Sequence, residues 1–175
     1  MKFIGAYAFA DSAIAEIVVP NSVTVIGNNA FQNAASLKKV TLSNALETMG
    51  KAIFKDCVSL TSIKIPSTVS MIDSYAFSEC IALRSISIPE GVSKIGECAF
   101  SECRTLRSVK LPDSLLVIES GLFNGCSNLT QVEMGKYVVS IGEEAFRNTG
   151  ILTIDESVTI LETLTKNLIT PEKEK

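Results

Sequence analysis

The sequence predicts a solenoid of stacked repeats with a parallel β-sheet on one side, and three observations support this prediction. The spacing between successive recurring phenylalanines is 22 residues once and 23 residues five times. Each repeat carries a Leu-x-x-Ile-x-Ile block or a close variant, and a proline often follows the block. A period of about 20–29 residues with its own apolar consensus is typical of leucine-rich repeats. The recurring residues are Phe9, Phe31, Phe54, Phe77, Phe100, Phe123 and Phe146.

The order of elements within one repeat follows from its residue pattern. Alternation of apolar and polar residues in the Leu-x-x-Ile-x-Ile block predicts a short, half-buried strand. Stacked strands then give a parallel sheet along one face of a right-handed solenoid. Proline ends each strand because it has no N–H to donate, and a glycine such as Gly96 marks a tight turn before the Ala-Phe pair. The pair itself is predicted to cover the convex face as a short helical turn or an irregular segment. The prolines are Pro20, Pro66, Pro89 and Pro112.

The repeat pattern divides the chain into two parts. Residues 1–158 are predicted to form a leucine-rich-repeat solenoid of about seven repeats, because the pattern continues through Val158. Residues 159–175 contain no further Ala-Phe pair and are predicted to form a C-terminal cap and a charged tail. The first repeat has no such polar cover, and an uncovered solenoid edge favours end-to-end self-association.

The first residues imitate a secretory signal, because Lys2 precedes a short apolar stretch. Ile4 and Phe9 nevertheless occupy the same repeat positions as Ile26 and Phe31, so the repeat pattern explains them better. We therefore predict no signal peptide in this segment. The chain is expected to start in mid-repeat, as a piece of a longer array would.

The composition excludes several classes of function. The 175-residue chain has no histidine, which removes Ser-His-Asp and Cys-His catalysis and the commonest ligand of transition metals. Its formal net charge of -3 gives no general attraction to nucleic acid. No apolar run approaches the ~20 residues that a membrane-spanning helix needs. We expect no enzyme activity, no cofactor, no metal, no nucleic-acid partner and no membrane insertion.

Four of the five cysteines occupy a single repeat position. In other repeats this position holds Ser12, Ala34 or Thr149, so it accepts any small residue. This favours free, buried structural thiols, with disulfides between neighbouring coils as the alternative. A zinc site is disfavoured because zinc ligands come in pairs that converge on one point, whereas Cys98 lies between two scaffold positions. The four cysteines are Cys57, Cys80, Cys103 and Cys126.

The segment from Leu83 to Cys103 contains the string Ile-Pro-x-x-Val-x-x-Ile-Gly-x-x-Ala-Phe-x-x-Cys. The repeats resemble the BspA-like leucine-rich-repeat family in this string, over about residues 4–158. Ser43 and Gly135 depart from it at the proline, and Asp73 and Glu119 depart from it at the glycine. The resemblance implies a surface-exposed or secreted protein of the kind found in bacteria and parasitic protists. Adhesion to host matrix or to other cells is the role that it implies, often as one module of a longer polypeptide.

The outward face of the predicted sheet holds the positions that the repeat pattern leaves free. They form two columns with one residue per repeat, next to a third column at the strand entry. The central repeats place basic and hydroxyl side chains there, with Lys38 as a further cation. The concave sheet is the usual binding surface of a solenoid. The residues predicted to bind a partner are Lys39, Lys64, Arg84, Ser85, Ser87, Arg107, Ser108, Lys110, Gln131 and Glu133.

Two interpretations of this face stay open. It binds a protein or an anionic glycan, weakly and with salt sensitivity, because it lacks the aromatic anchors of tight interfaces. Alternatively, its hydroxyl and lysine side chains only keep a parallel sheet soluble. The predicted function is a non-catalytic interaction module of an adhesin-like protein at the cell surface or secreted. A structural spacer in a longer protein and an intracellular scaffold are the alternatives.

Overall fold

The computed structural model describes residues 2–151, which form a parallel β-solenoid. We number its coils by their phenylalanines, from coil 1 with Phe9 to coil 7 with Phe146. The strands are β1 (Lys2–Ile4), β2 (Glu16–Val18), β3 (Val23–Ile26), β4 (Lys39–Thr41), β5 (Thr48–Met49), β6 (Ser62–Lys64), β7 (Met71–Ile72), β8 (Ser85–Ser87), β9 (Lys94–Ile95), β10 (Ser108–Lys110), β11 (Val117–Ile118), β12 (Gln131–Glu133) and β13 (Ser140–Ile141).

The predicted parallel strands along one face are confirmed as the even-numbered strands from β2 to β12, which pair two by two. We call these strands the primary row. Its hydrogen-bonded pairs are β2–β4, β6–β8 and β10–β12, all parallel and shifted by one repeat, so that Ser62 lies opposite Ser85. The middle residue of each strand points inward, as Ile63 and Ile86 do, and its two neighbours are exposed. This is the burial pattern that the period-2 alternation predicts.

A second row of parallel strands, β1 and the odd-numbered strands after it, was not predicted. The sequence predicts only a turn after the Ile-Gly segment. In the structure, residues of this segment also pair from coil to coil. In β5, β7 and β9, Met49, Ile72 and Ile95 lie in register, and all three are fully buried. Most of these strands have only two residues, which is too short for an alternation to be visible in the sequence.

The convex face contains no helix within residues 2–151, so of the two forms predicted there, a short helical turn or an irregular segment, the helical form is absent from the described residues. The residues two before and two after each phenylalanine instead adopt the left-handed conformation. Around Phe77, φ is 60° at Tyr75 and 61° at Glu79. In coil 6 the same positions are glycines, Gly121 and Gly125, with φ of 63° and 77°. A helix needs right-handed dihedrals throughout, so this alternation produces tight turns instead.

These turns provide a third set of hydrogen bonds between coils. The amide N–H groups of Tyr75, Phe77 and Glu79 donate to carbonyls of coil 5 at 3.0, 2.7 and 2.9 Å. The phenylalanine rings of adjacent coils stack with centroids 5.2–5.6 Å apart. Each ring from coil 2 to coil 6 is fully buried, as the repeat alignment predicts.

The division of the chain at residue 158 stays a prediction. The expected cap and charged tail, residues 159–175, lie outside the described residues. The handedness of the coil also stays a prediction, whereas the parallel-strand solenoid itself is confirmed.

Candidate partner-binding face

The outward positions of the primary row carry every residue that the sequence assigned to a partner-binding face. All ten side chains are exposed. The strand register brings them into the predicted columns, since Ser85 lies beside Ser62, and Gln131 beside Ser108. Thr153 and Asp155, which would extend the columns by one coil, lie outside the described residues. The placement is as predicted, and binding by these residues stays a prediction.

The cations of this face differ in their surroundings. The Lys110 Nζ lies 2.7 Å from a carboxylate oxygen of Glu133 on the next coil. This hydrogen bond and the negative charge of Glu133 raise the pKa of Lys110. The pair is solvent-exposed, so it contributes little to stability, but it neutralises one cation of the face.

Five other cations around these columns have no acidic partner among the described residues. Arg84 and Arg107 lie at the strand entries of coils 4 and 5, and neither side chain forms an ion pair or hydrogen bond within residues 2–151. Lys38, Lys39 and Lys64 in coils 2 and 3 are exposed and form no ion pair there, although the strand register places Glu16 opposite Lys39. The positive charge of the face therefore extends along the solenoid axis from coil 2 to coil 5.

All five cysteines are free thiols. In each of the four that share a repeat position, the thiol donates a hydrogen bond to the carbonyl of the phenylalanine one coil back. The Cys80 Sγ, for example, lies 3.1 Å from the Phe54 carbonyl oxygen. Where coil 1 has Ser12, the hydroxyl donates instead to the carbonyl of its own Phe9, at 2.7 Å.

Burial governs the acidity of these thiols. It raises the pKa of Cys57 to about 12 and raises those of Cys80 and Cys103 well above the ordinary value. Cys98, which is only half-buried, also has its pKa raised by burial. A thiol that stays protonated is a poor nucleophile and a poor metal ligand, and residues 2–151 contain no cluster of metal-ligating side chains.

Sequence reasoning missed exposed apolar side chains at and just before the second-row strands β11 and β13, because that row was not predicted. Leu116, Val117, Tyr137 and Val139 are exposed on coils 5 and 6. The apolar residues Leu116 and Val139, at the same repeat position on adjacent coils, are the signal that would have identified it. Among the described residues, no helix is long and apolar enough to cross a membrane.

Solved structures of leucine-rich repeat proteins are similar to this chain. The leucine-rich repeat protein TpLRR of T. pallidum is 32% identical, with 83% of this chain and 69% of that chain covered at a TM-score of 0.80. A leucine-rich repeat protein from Bacteroides ovatus ATCC 8483 is 30% identical, with coverage of 85% and 50% and a TM-score of 0.62. The chain thus spans only half the length of the Bacteroides protein.

The family comparison covers more of the chain than either structure does. The model of the BspA type leucine-rich-repeat region matches six copies, over residues 2–74 and 47–167. No curated protein matches the sequence. The matched repeats, the 23-residue period and the parallel strands agree with one another, and the chain belongs to the BspA-type leucine-rich-repeat family.

Proposed function

We propose that this chain is a non-catalytic interaction module that binds an anionic partner through the outward face of the primary row. The observation that carries the proposal is the line of unpaired cations on coils 2 to 5 of a chain with a net charge of -3. Among these cations, Arg84 and Arg107 occupy the same position on adjacent coils, and like charges at matching positions of neighbouring strands oppose folding slightly.

The module belongs to a cell-surface or secreted protein with an adhesive role. Support for this location comes from the resemblance of the repeats to surface proteins of the same family. Support for an interaction role comes from the architecture, because solenoids use an extended face of their stack for binding. Since fold alone does not determine function, the proposal depends on the charged face.

A charge-reversal variant tests the proposed face. The unmodified chain and a Lys64→Glu/Arg84→Glu/Arg107→Glu/Lys110→Glu variant are applied to an array of matrix proteins and glycans. We expect the unmodified chain to bind anionic members of the array, more weakly as salt rises, and the variant to lose that binding. A variant that keeps the binding would show that the face is not the site. A chain that binds no member of the array would favour the structural spacer.

A further inference from the structure

Within the proposed face, the structure distinguishes one pair of cations from the others. Arg84 and Arg107 occupy the same position on adjacent coils, directly before the neighbouring strands β8 and β10. The stacking of coils 4 and 5 is fixed by the Phe77 and Phe100 rings, whose centroids are 5.3 Å apart. Two arginine side chains are thus repeated on adjacent coils, and neither forms an ion pair with a carboxylate among the described residues.

Hydroxyl groups lie next to this arginine pair. Ser85 and Ser108 follow the two arginines in the chain, and both are exposed. Neither hydroxyl forms a hydrogen bond within the described residues, so both are available to a ligand. The two guanidinium groups and two hydroxyls form a grid of donors over two coils, which we call the arginine–serine grid. Arginine presents a planar fork of donors that fits an oxyanion in a bidentate way.

Lys110 lies outside this site, although the sequence placed it on the same face. Glu133 holds its ammonium group at 2.7 Å. Arg104 is likewise paired, with Glu102 at 2.9 Å. Lys110 and Arg104 are thus neutralised by carboxylates, whereas Arg84 and Arg107 form no ion pair among the described residues.

We infer that the arginine–serine grid binds the sulfate groups of a linear sulfated glycan that runs along the solenoid axis. This inference rests on the proposed function and names the partner class. Further cations lie on the preceding coils along the stacking direction. Lys64 lies on coil 3, and Lys38 and Lys39 lie on coil 2. A linear polyanion that follows the axis meets a cation on each of these coils.

Two other macromolecular partners fit the face less well. Tight protein interfaces use aromatic or large apolar anchors, and the outward positions of coils 2 to 5 carry none. A single-stranded nucleic acid would need aromatic side chains on which its bases stack, and these positions lack them too. A sugar chain needs hydrogen-bond donors and acceptors between its charges, which the serine and threonine hydroxyls supply.

A titration with defined probes tests the inference on the full chain. The probes are an end-labelled heparin octasaccharide, the same octasaccharide after desulfation with its carboxylates retained, and a single-stranded DNA of equal charge. Binding is followed by fluorescence anisotropy. We expect the sulfated octasaccharide to bind at least about tenfold more tightly than either other probe, because sulfate groups occupy the bidentate sites.

Variants distinguish binding by the arginine–serine grid from a general attraction to the positive charge of the chain. We expect Arg84→Ser/Arg107→Ser to weaken binding of the sulfated octasaccharide about tenfold or more, and Arg84→Lys/Arg107→Lys to weaken it less. The matched control is Lys51→Ser/Lys94→Ser, which removes the same charge from exposed positions outside the face and should have little effect. Lys110→Ser should also have little effect, because Glu133 already pairs with that lysine. Circular dichroism verifies that each variant is folded.

The outcomes separate this inference from the proposed function. If the arginine variant and the control variant lose equal affinity for the sulfated octasaccharide, the inference that the grid binds sulfate is wrong. Equally tight binding of the desulfated octasaccharide or of DNA would also contradict it. If the array identifies an acidic protein whose binding the quadruple reversal removes, while the octasaccharide does not bind, the inference fails and the proposed face stands. If the quadruple reversal changes no binding at all, both fail.

Discussion

The turns around the phenylalanines and the outward face of the primary row belong to the same repeats. Their residues differ in how much they vary from one coil to the next. Every coil places a phenylalanine in the same stack, and the rings from Phe31 to Phe123 are fully buried. The corresponding outward column changes from coil to coil, from Lys39 through serines to Gln131. Stacking requires the same shape in each coil, whereas an exposed side chain has no such constraint. Changes at the turns should therefore alter stability, and changes at the face should alter binding.

The largest expected effect is on the stability of the turns. Phe77 is fully buried between the rings of Phe54 and Phe100, with centroids 5.5 and 5.3 Å away. We expect Phe77→Ala to lower the free energy of unfolding by about 3–5 kcal/mol, because it removes buried contacts on both sides and leaves a cavity. Urea unfolding followed by circular dichroism measures the change.

The end of the stack provides a matched control for this substitution. Phe9 is half-buried and stacks only on Phe31, at 5.2 Å. We expect Phe9→Ala to cost about half as much as Phe77→Ala, since each coil touches only its neighbours. Equal costs at the two positions would contradict a stack whose stability comes from contacts between neighbouring coils.

The second prediction concerns the buried cysteines that hydrogen-bond to the phenylalanine carbonyls. Their ionisation can be changed with pH, without a mutation. Burial raises the pKa of Cys57 to about 12 and raises those of Cys80 and Cys103 as well, while the unfolded chain loses these protons near pH 9. Stability should not depend on these thiols below pH 9. Above pH 9, the unfolded state loses protons that the folded state keeps, so the free energy of unfolding should fall by about 1.4 kcal/mol per pH unit for each thiol.

Thermal unfolding from pH 7.5 to pH 10 measures this effect, and a thiol-free control isolates it. Cys57→Ala/Cys80→Ala/Cys103→Ala places alanine where coil 2 already has Ala34. The variant should be less stable at neutral pH, since each substitution removes a hydrogen bond to a phenylalanine carbonyl. Its stability should then depend much less on pH above 9. An unchanged pH dependence would show that the buried thiols do not cause the loss.

The sequence predicts the phenylalanine stack and the exposed face well, and the reason is physical. A fixed period identifies the residues that stack, and a period-2 alternation in blocks such as Ser85–Ser87 separates inward from outward side chains. The same register implies that Lys110 and Glu133 are neighbours, although their pairing was not predicted. That contact depends on side-chain conformation, which the repeat pattern does not specify.

The left-handed turns were harder to predict, because their residues give mixed signals. Only coil 6 has glycine at both positions, Gly121 and Gly125, where a positive φ is usual. Asn29, Asn33 and Asn148 are a second signal, since asparagine tolerates this conformation. Other coils use residues such as Ala52, which disfavour it. The hydrogen bonds between coils impose the conformation there, against local preference.

The smallest expected effect tests this account of the turns. Glu79 has φ of 61°, at the position that Gly125 occupies in coil 6. We expect Glu79→Gly to be more stable than Glu79→Ala by about 1 kcal/mol, because both remove the same charge and only alanine keeps a Cβ in the left-handed conformation. The control is Glu97, which is exposed and has no positive φ, where glycine should be less stable than alanine. Urea unfolding of the four variants measures both differences. The same sign at both positions would mean that the backbone of the turn is not strained, and that the phenylalanine stack alone distinguishes this region from the sheet face.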